Sequence, residues 1–278
     1  MSVSMNVAVF VLGLCLGSFI NVVIYRLPRD DVTISRPRRS ACPHCGGSIA
    51  WHDNLPIVSY LFLKGKCRHC GHRISWRYPV VELLCGLLCL AVFFKTGLGL
   101  RTVAGFYFVL ALVAITYIDL DHWIIPDVIT FPGMVVGLAA SFLAPDPGLI
   151  GVFLGAEFIA WGVSDLRFLS LIGSGLGLAL GGLLPYGIMK LYAFLRKQEG
   201  MGGGDLTLLA MIGAFLGWRA VLMTLFFGSA AALVGAIFVA KRDGGFGLQM
   251  PVPFGPFLSL AALVNMFFGE SILRWYLG

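Results

Sequence analysis

Two aspartates beside long apolar runs are the residues best suited to do chemistry in this chain. Asp119 closes one apolar run, and Asp205 ends the segment Gly200-Met-Gly-Gly-Gly-Asp205, which opens another. An ionisable residue next to a membrane-length run is a functional candidate, because its charge is costly to place in lipid. Two facing carboxyl groups cannot both ionise cheaply, so one keeps its proton. Such a pair would supply a base that activates water and an acid that protonates the substrate.

Other interpretations of the acids remain open at this point. Asp121 and Asp127 are better read as helix caps or solvated interfacial residues, and Asp205 could itself cap the helix that follows it. A cap requires no glycine stretch, however, and glycines would let an extended substrate backbone approach the acid closely. A phosphate-binding loop is disfavoured, because the segment lacks the Lys-Ser/Thr ending of that motif. The glycines expected to bind substrate are Gly202, Gly203 and Gly204.

Four of the seven cysteines form two C-x2-C pairs in a polar segment: Cys42, Cys45, Cys67 and Cys70. Four thiolates with this spacing predict a closed, tetrahedral zinc site that folds a segment too small to build its own core. Gly46 and Gly71 follow the pairs and suit turns around a metal. A redox dithiol is the alternative. The nearby histidines are not needed as ligands, namely His44, His69 and His72.

The composition is that of a polytopic membrane protein. Hydrophobic residues make up 58% of the chain and charged residues 12%, with a mean hydropathy of +0.89. A soluble domain carries about 25% charged residues. The apolar runs predict an all-α fold with about eight spans, at residues 7–25, 79–94, 102–118, 128–143, 169–195, 206–216, 220–240 and 253–268. The glycine-rich stretch 148–163 is expected to be an external re-entrant or surface segment.

These runs divide the chain into three predicted regions. Residues 1–25 form the first span, residues 26–78 a cytoplasmic zinc-binding module, and residues 79–278 a multi-span membrane domain. A cleaved signal peptide is disfavoured, because no positive residue precedes the first run.

The uneven distribution of Lys and Arg predicts the orientation in the membrane. The segments on the side of the zinc module contain fifteen of the twenty basic residues, and the opposite side contains five. By the positive-inside rule, the module and both acids lie at the cytoplasmic face and the N-terminus lies outside. The net charge of +6 does not indicate a nucleic-acid partner, because the basic residues are confined to particular loops.

The motifs, taken in order, resemble those of the type IV prepilin peptidase family, which are membrane aspartyl proteases of the GxGD type. The resemblance covers most of the chain and includes both cysteine pairs. The other motifs are Gly17-Ser-Phe-Ile-Asn21-Val-Val-Ile-Tyr-Arg26-Leu-Pro28, Asp53-Asn-Leu-Pro56, Arg77-Tyr-Pro-Val-Val-Glu82, Asp119 to Pro126-Asp127, and Gly200 to Asp205.

The resemblance implies an enzyme of the bacterial inner membrane that removes the short basic leader of type IV prepilins and pseudopilins. It also implies that Asp119 and Asp205 are the catalytic pair. Asp119 is preferred to Asp121, because the first acid of the family lies seven residues before a proline and Pro126 holds that position. Thr207 departs from the family pattern, which commonly has Lys there.

Many members of that family also methylate the new N-terminus with S-adenosylmethionine. Glu82, at the junction of the module and the membrane, is a candidate contact for that cofactor, and a plain helix N-terminal acid is an equal alternative. Two other functions fit the sequence less well. An ion-coupled transporter would place its acids near the midplane and often show internal repeats, and an assembly protein would leave the acid pair unexplained. The oligomeric state is not predicted.

Overall fold

The computed structural model describes residues 2–36, 40–145, 165–197, 202–242 and 252–277. The segment 148–163 and Gly200 of the glycine motif lie outside these residues. Within them the chain forms helices and a few isolated bridges, with no β-strand. The helices are α1 (Val3–Arg26), α2 (Val58–Phe62), α3 (Arg77–Thr96), α4 (Leu100–His122), α5 (Asp127–Leu143), α6 (Leu166–Arg196), α7 (Gly203–Arg242) and α8 (Gly255–Leu277), with a 3₁₀ turn at Trp51–Asn54.

All eight predicted apolar runs are helical, which confirms the all-α membrane fold class. Helices α1, α3, α4, α6, α7 and α8 are long and apolar enough to span a bilayer, which makes six candidate spans in the described part of the chain. Two features of the helices explain why the described part of the chain has six candidate spans where the sequence predicts about eight. Helix α5 is apolar but has only 17 residues. Helix α7 combines the runs 206–216 and 220–240, with a break in helical geometry at Gly217 (φ 79°, ψ 177°).

The chain divides into two compact units, residues 1–118 and 119–278, with the boundary near the end of α4. In the first unit, α1 packs against α3 through glycines. A Cβ atom added to Gly13 would lie 2.8 Å from Gly86 Cα, and one added to Gly17 would lie 2.8 Å from Glu82 Cα. Small residues let two membrane helices approach this closely and gain dispersion contacts that lipid does not offer.

Helix α7 is central to the second unit, where it contacts α5, α6 and α8. Its closest approach is to α6, where Gly177 lies against the backbone of Gly213. Near the break at Gly217, Ser174 Oγ of α6 donates a hydrogen bond to Ala214 O of α7. Helix α7 therefore begins at the glycine motif and is held along its length by backbone-to-backbone packing.

This packing predicts different effects for two alanine substitutions on one helix. A Cβ on Gly177 would overlap the backbone of α7, 2.7 Å from Gly217 C, whereas a Cβ on Gly175 has no other atom within 4 Å. We expect Gly177→Ala to lower the free energy of unfolding by about 1–3 kcal/mol, since the helices must move apart. Gly175→Ala should leave it nearly unchanged. Thermal unfolding of the two purified variants in one detergent measures the difference, and equal midpoints would contradict the packing.

Candidate active site and metal centre

Asp119 lies in the last turn of α4 and is buried, with 5% of its surface exposed. Helix α4 ends just beyond it, where Trp123 takes a left-handed conformation (φ 59°) and donates its N–H to Asp119 O at 2.9 Å. Asp121, two residues further on, is exposed. Burial therefore distinguishes the two acids, and it is Asp119 whose carboxyl group is withdrawn from solvent.

The Asp119 carboxylate is held by the first residue of α8. Gly255 N–H donates to Asp119 Oδ2 at 2.9 Å in a buried contact. A Cβ on Gly255 would lie 2.7 Å from that oxygen and 3.2 Å from Asp119 Cγ, so a side chain at this position would displace the carboxylate. The N-terminus of a helix carries unpaired N–H groups and the positive end of the helix dipole, both of which favour a negative partner.

Asp205 lies in the first turn of α7 and is half-buried. Its own N–H donates to Gly202 O at 3.3 Å, so Asp205 is inside the helix and Gly202 precedes it. Gly204, which immediately precedes Asp205, lies against Ile125, and Ile125 also approaches Gly255, whose N–H donates to Asp119. The structure thus brings together two aspartates that are 86 positions apart (205 − 119) in the chain.

Ile125 joins the surroundings of the two acids. It lies in the short connection between α4 and α5, and its Cβ would be 2.7 Å from a Cβ on Gly204. Its Cδ1 would be 3.2 Å from a Cβ on Gly255. One side chain therefore contacts both the residue before Asp205 and the residue that holds Asp119. Nothing in the apolar pattern singles out Ile125 or Gly255, although a Gly-Pro pair at a helix start is a recognisable signal for the latter.

The described glycines of the motif have different surroundings. Gly204 is in close contact with Ile125, so Ile125 occupies the space that a side chain at position 204 would need. Gly203 has no atom near an added Cβ, and Gly202 is exposed. None of these three residues has a positive φ, so the motif serves close approach rather than an unusual backbone conformation. Substrate contact at Gly202, Gly203 and Gly204 stays a prediction.

Thr207 has a defined contact at the same end of α7. Its Oγ1 lies 3.1 Å from Asp127 Oδ1 and 3.0 Å from Gly204 O, and the hydroxyl can donate to either. Asp127 is the first residue of α5. The hydroxyl therefore connects the start of α5 to the start of α7 at the position where Lys was expected.

The geometry of the acid pair suits hydrolysis by general acid and base. A carboxylate that accepts a proton from water and a carboxyl group that donates one must both reach the reacting bond. Here both acids lie at helix ends, Asp119 buried and Asp205 half-buried.

The four paired cysteines form a compact cluster with the geometry of a metal site. Their Sγ atoms all lie within 4.8 Å of one another, and Cys42 Sγ is 3.9 Å from Cys70 Sγ. Four sulfurs bound to one zinc ion at about 2.3 Å would be separated by about 3.8 Å, whereas a disulfide requires about 2.05 Å. All four cysteines are free. The donor set and its spacing fit zinc.

Two matching knuckles build this cluster. In the first, Gly46 N–H donates to Cys42 O and Cys42 N–H to Gly47 O, both at 2.9 Å. In the second, Gly71 N–H donates to Cys67 O at 2.9 Å, in the same arrangement. Gly46 and Gly71 have φ values of +68° and +69°, a conformation that side chains strongly disfavour. The glycine after each cysteine pair is therefore a requirement of the knuckle.

The pKa values of two thiols in the cluster, Cys42 and Cys70, are shifted in opposite directions. Backbone N–H groups of Cys45 and His44 lower the pKa of Cys42 to about 7. The N–H of His72 acts in the same direction on Cys70, but desolvation and the neighbouring thiols raise the pKa of Cys70 to about 11. A bound divalent cation supplies the positive charge that four adjacent thiolates need.

An ion pair ties the 3₁₀ turn Trp51–Asn54 to the second knuckle. Arg68 donates from Nε to Asp53 Oδ2 at 2.8 Å and from Nη2 to Asp53 Oδ1 at 2.6 Å, a bidentate geometry. The hydrogen bonds from Arg68 lower the pKa of the Asp53 carboxyl. The segment between the two knuckles is thus fixed to the metal cluster.

Glu82, the candidate contact for S-adenosylmethionine, is 8% exposed and accepts a hydrogen bond within the first unit. Its Oε2 accepts the N–H of Ile57 at 2.7 Å, and its backbone faces Gly17 of α1. These contacts fit a positioning role within the first unit. A contact between Glu82 and S-adenosylmethionine stays a prediction.

Two protein families match the sequence of this chain. The family described as Bacterial Peptidase A24 N-terminal domain matches residues 11–96. The family described as Type IV leader peptidase family matches residues 106–239. The two matches follow one another and cover most of the helices described above.

Full-length relatives are also found. The chain is 36% identical over 299 residues to the prepilin leader peptidase/N-methyltransferase of Aeromonas hydrophila, covering 97% of this chain and 92% of that protein. It is 34% identical over 288 residues to the protein of the same name from Pseudomonas aeruginosa (96% and 91%). The corresponding protein of Myxococcus xanthus is 42% identical over 241 residues (87% and 65%). No solved structure matches the chain.

The cysteine cluster predicts how zinc content depends on its ligands. We expect the purified wild-type protein to contain about one zinc ion per chain. The Cys42→Ser/Cys45→Ser double variant should lose it, because two remaining thiolates do not close the site. Elemental analysis of the two proteins measures the metal content.

A double variant of two other cysteines is the matched control. Cys85 and Cys89 are buried in α3, outside the cluster, so Cys85→Ala/Cys89→Ala should retain zinc. Equal zinc in the Cys42→Ser/Cys45→Ser protein would contradict the four-cysteine site.

Proposed function

The chain belongs to the type IV leader peptidase family, and we propose that it cleaves the leader peptide from type IV prepilins or pseudopilins by aspartyl catalysis. The observation that carries this proposal is the convergence of Asp119 and Asp205 around Ile125, with Gly255 N–H on Asp119 Oδ2. Family membership supports the substrate class, and the acid pair supplies the chemistry.

In the proposed mechanism, Asp119 is the carboxylate and Asp205 carries the proton. Because Oδ2 of Asp119 accepts the Gly255 N–H, Oδ1 accepts a proton from the attacking water. Asp205 donates its proton to the carbonyl oxygen of the scissile peptide as water adds to the carbonyl carbon. Collapse of the tetrahedral intermediate breaks the C–N bond as one of its hydroxyl groups returns a proton to Asp205 and re-forms the carbonyl group, and the leaving amine takes the proton held by Asp119. The extended substrate lies along Gly202 and Gly203.

The proposed location is the bacterial inner membrane, with the zinc module and the acid pair at the cytoplasmic face. Six apolar helices make this a multi-pass membrane protein. The orientation rests on the excess of Lys and Arg in segments on the side of the module. Four zinc-bound thiolates leave no open coordination position, so the metal would hold the module together and take no part in hydrolysis.

We also propose that the chain methylates the new N-terminus, as the names of its relatives indicate for those proteins. S-adenosylmethionine would supply the methyl group. Glu82 stays a weak candidate contact for that cofactor, with Oε2 accepting the Ile57 N–H. No residue is assigned to this second activity.

An ion-coupled transporter is a weaker proposal. Transporters place their coupling acids near the bilayer midplane. Asp119 lies in the last turn of α4 and Asp205 in the first turn of α7, which are helix ends. The relatives give the transporter alternative no support.

The acid pair predicts the effect of three single substitutions. Asp119→Asn and Asp205→Asn should each reduce the cleavage rate of a prepilin-like peptide by about 10²–10⁴-fold, because each removes one proton-transfer group. Asp121→Asn should retain most activity, because Asp121 is exposed and lies outside the proposed pair. Cleavage by the reconstituted proteins, followed by mass spectrometry of the released leader, measures these rates.

Zinc content and unfolding temperature serve as controls for folding in all three variants. Normal cleavage by Asp205→Asn would refute the proposed mechanism. Loss of cleavage in Asp121→Asn together with full activity in Asp119→Asn would show that Asp121, and not Asp119, is the catalytic partner of Asp205.

A substitution at Gly255 is predicted to misplace the Asp119 carboxylate without removing a reacting group. A methyl group in Gly255→Ala would displace the Asp119 carboxylate, and a misplacement of about 1 Å costs about 10²-fold in rate. We expect the loss in kcat, with little change in KM, because the added methyl group faces Asp119 and Ile125 and leaves the proposed substrate contacts at Gly202 and Gly203 unchanged. Gly175→Ala is the matched control, because its added methyl group meets no other atom. A Gly255→Ala enzyme with unchanged kcat would contradict the positioning role.

A further inference from the structure

Among the residues that the structure describes, none covers the apolar face of the short helix α2. Three exposed side chains lie at helical spacing in α2, namely Val58 (47% exposed), Leu61 (68%) and Phe62 (83%), and Leu55 (44%) is exposed just before the helix. Ser59 points the other way and is 6% exposed, with its Oγ donating to His52 O at 2.8 Å. An apolar face of this kind within an otherwise polar module requires an explanation.

The depth of α2 relative to the membrane helices suggests what covers this face. Ile57, which precedes α2, donates its N–H to Glu82 Oε2 at 2.7 Å. Glu82 lies five residues into α3 from Arg77, which corresponds to about 7.5 Å along the helix axis. The neighbouring helix α1 passes at the same level, since its Gly17 contacts Glu82 and α1 continues to Arg26. Helix α2 is therefore held beside two spans at a level inside their ends.

The residues around the apolar face are those of a membrane interface. Trp51 and Trp76 are 79% and 72% exposed, and Trp76 immediately precedes α3. Lys64 and Lys66 are exposed and follow α2 directly. Trp is enriched at the level of lipid headgroups, and Lys side chains place their ammonium groups among the phosphates.

The attachment of α2 is specific and strained. Ile57 has φ 60° and ψ −47°, a conformation that a β-branched residue rarely adopts. The hydrogen bond to Glu82 is made by this residue. The protein thus retains an unfavourable backbone conformation at the point where the module joins α3, which fits a fixed position for α2 rather than a loose loop.

We propose that α2 is an interfacial helix, inserted beside α3 into the headgroup–acyl boundary of the lipid bilayer. Leu55, Val58, Leu61 and Phe62 contact acyl chains. An interfacial helix buries its apolar face about 5–10 Å into this region, which matches the level of Glu82. The zinc module is then fastened to the membrane surface at three places, through α1, α3 and α2.

Photo-crosslinking of the full-length protein in lipid nanodiscs tests this proposal without an activity readout. The photoreactive residue p-benzoylphenylalanine replaces Phe62 in one variant and Phe94 in another. Phe94 lies in the span α3 and is 57% exposed, so it reports the yield expected from direct lipid contact. Tyr60 is the control within α2, because its ring lies against Gly65.

We expect the variant at Phe62 to form phospholipid adducts in a yield comparable with that at Phe94 and several-fold above that at Tyr60. Mass spectrometry of the intact protein detects the added lipid. Adducts to a second copy of the chain or to an added prepilin peptide, in place of lipid, would overturn the proposal. So would a Phe62 yield as low as that at Tyr60.

A fluorescence measurement covers the case in which the bulky photoreactive residue disturbs α2. The Phe62→Trp variant adds one tryptophan at the proposed depth, and its emission is compared with that of the parent protein. Phospholipids brominated near the ester end of the acyl chain should quench the added signal several-fold more than those brominated near the methyl end. Equal and negligible quenching by both lipids would place α2 in water and overturn the proposal.

Discussion

A buried carboxylate at the end of a membrane helix must find a hydrogen-bond donor, and the second unit of this protein is arranged around that requirement. Asp119 finds its donor in Gly255 N–H, at the start of a helix 136 residues further along the chain. That contact fixes where α8 begins relative to Asp119. Ile125 then fills the space between Gly255 and Gly204, which brings the first turn of α7, with Asp205, to the same place.

Glycine has two distinct uses in this architecture. Between helices it permits backbone contact, as at Gly17 in the first unit and Gly177 in the second. At the acid pair it keeps space for a neighbouring group, since Gly204 makes room for Ile125 and Gly255 for the Asp119 carboxylate. The glycine motif before Asp205 thus contributes to helix packing as well as to the proposed approach of substrate. Helix α7, whose helical geometry is interrupted at Gly217, has Asp205 in its first turn.

Much of this arrangement can be predicted from the sequence, because its strongest signals are local. Apolar runs mark every membrane helix, paired cysteines mark the metal cluster, and the proline register favours Asp119 over the exposed Asp121. The contacts of Gly255, and the hydroxyl of Thr207 near Asp127 where Lys was expected, depend on residues distant in the chain, and no local pattern encodes them. The level of α2 was missed for the same reason, since it depends on the bond from Ile57 to Glu82.

The central claim is that Asp119 and Asp205 act together on one reacting carbonyl group. Its most direct test is the structure of the protein bound to a prepilin-like peptide in which a hydroxyl-bearing carbon replaces the scissile carbonyl. The account predicts that this hydroxyl lies within about 2.6–3.2 Å of a carboxyl oxygen of each aspartate. A bound peptide whose hydroxyl contacts only one of the two acids, or neither, would contradict it.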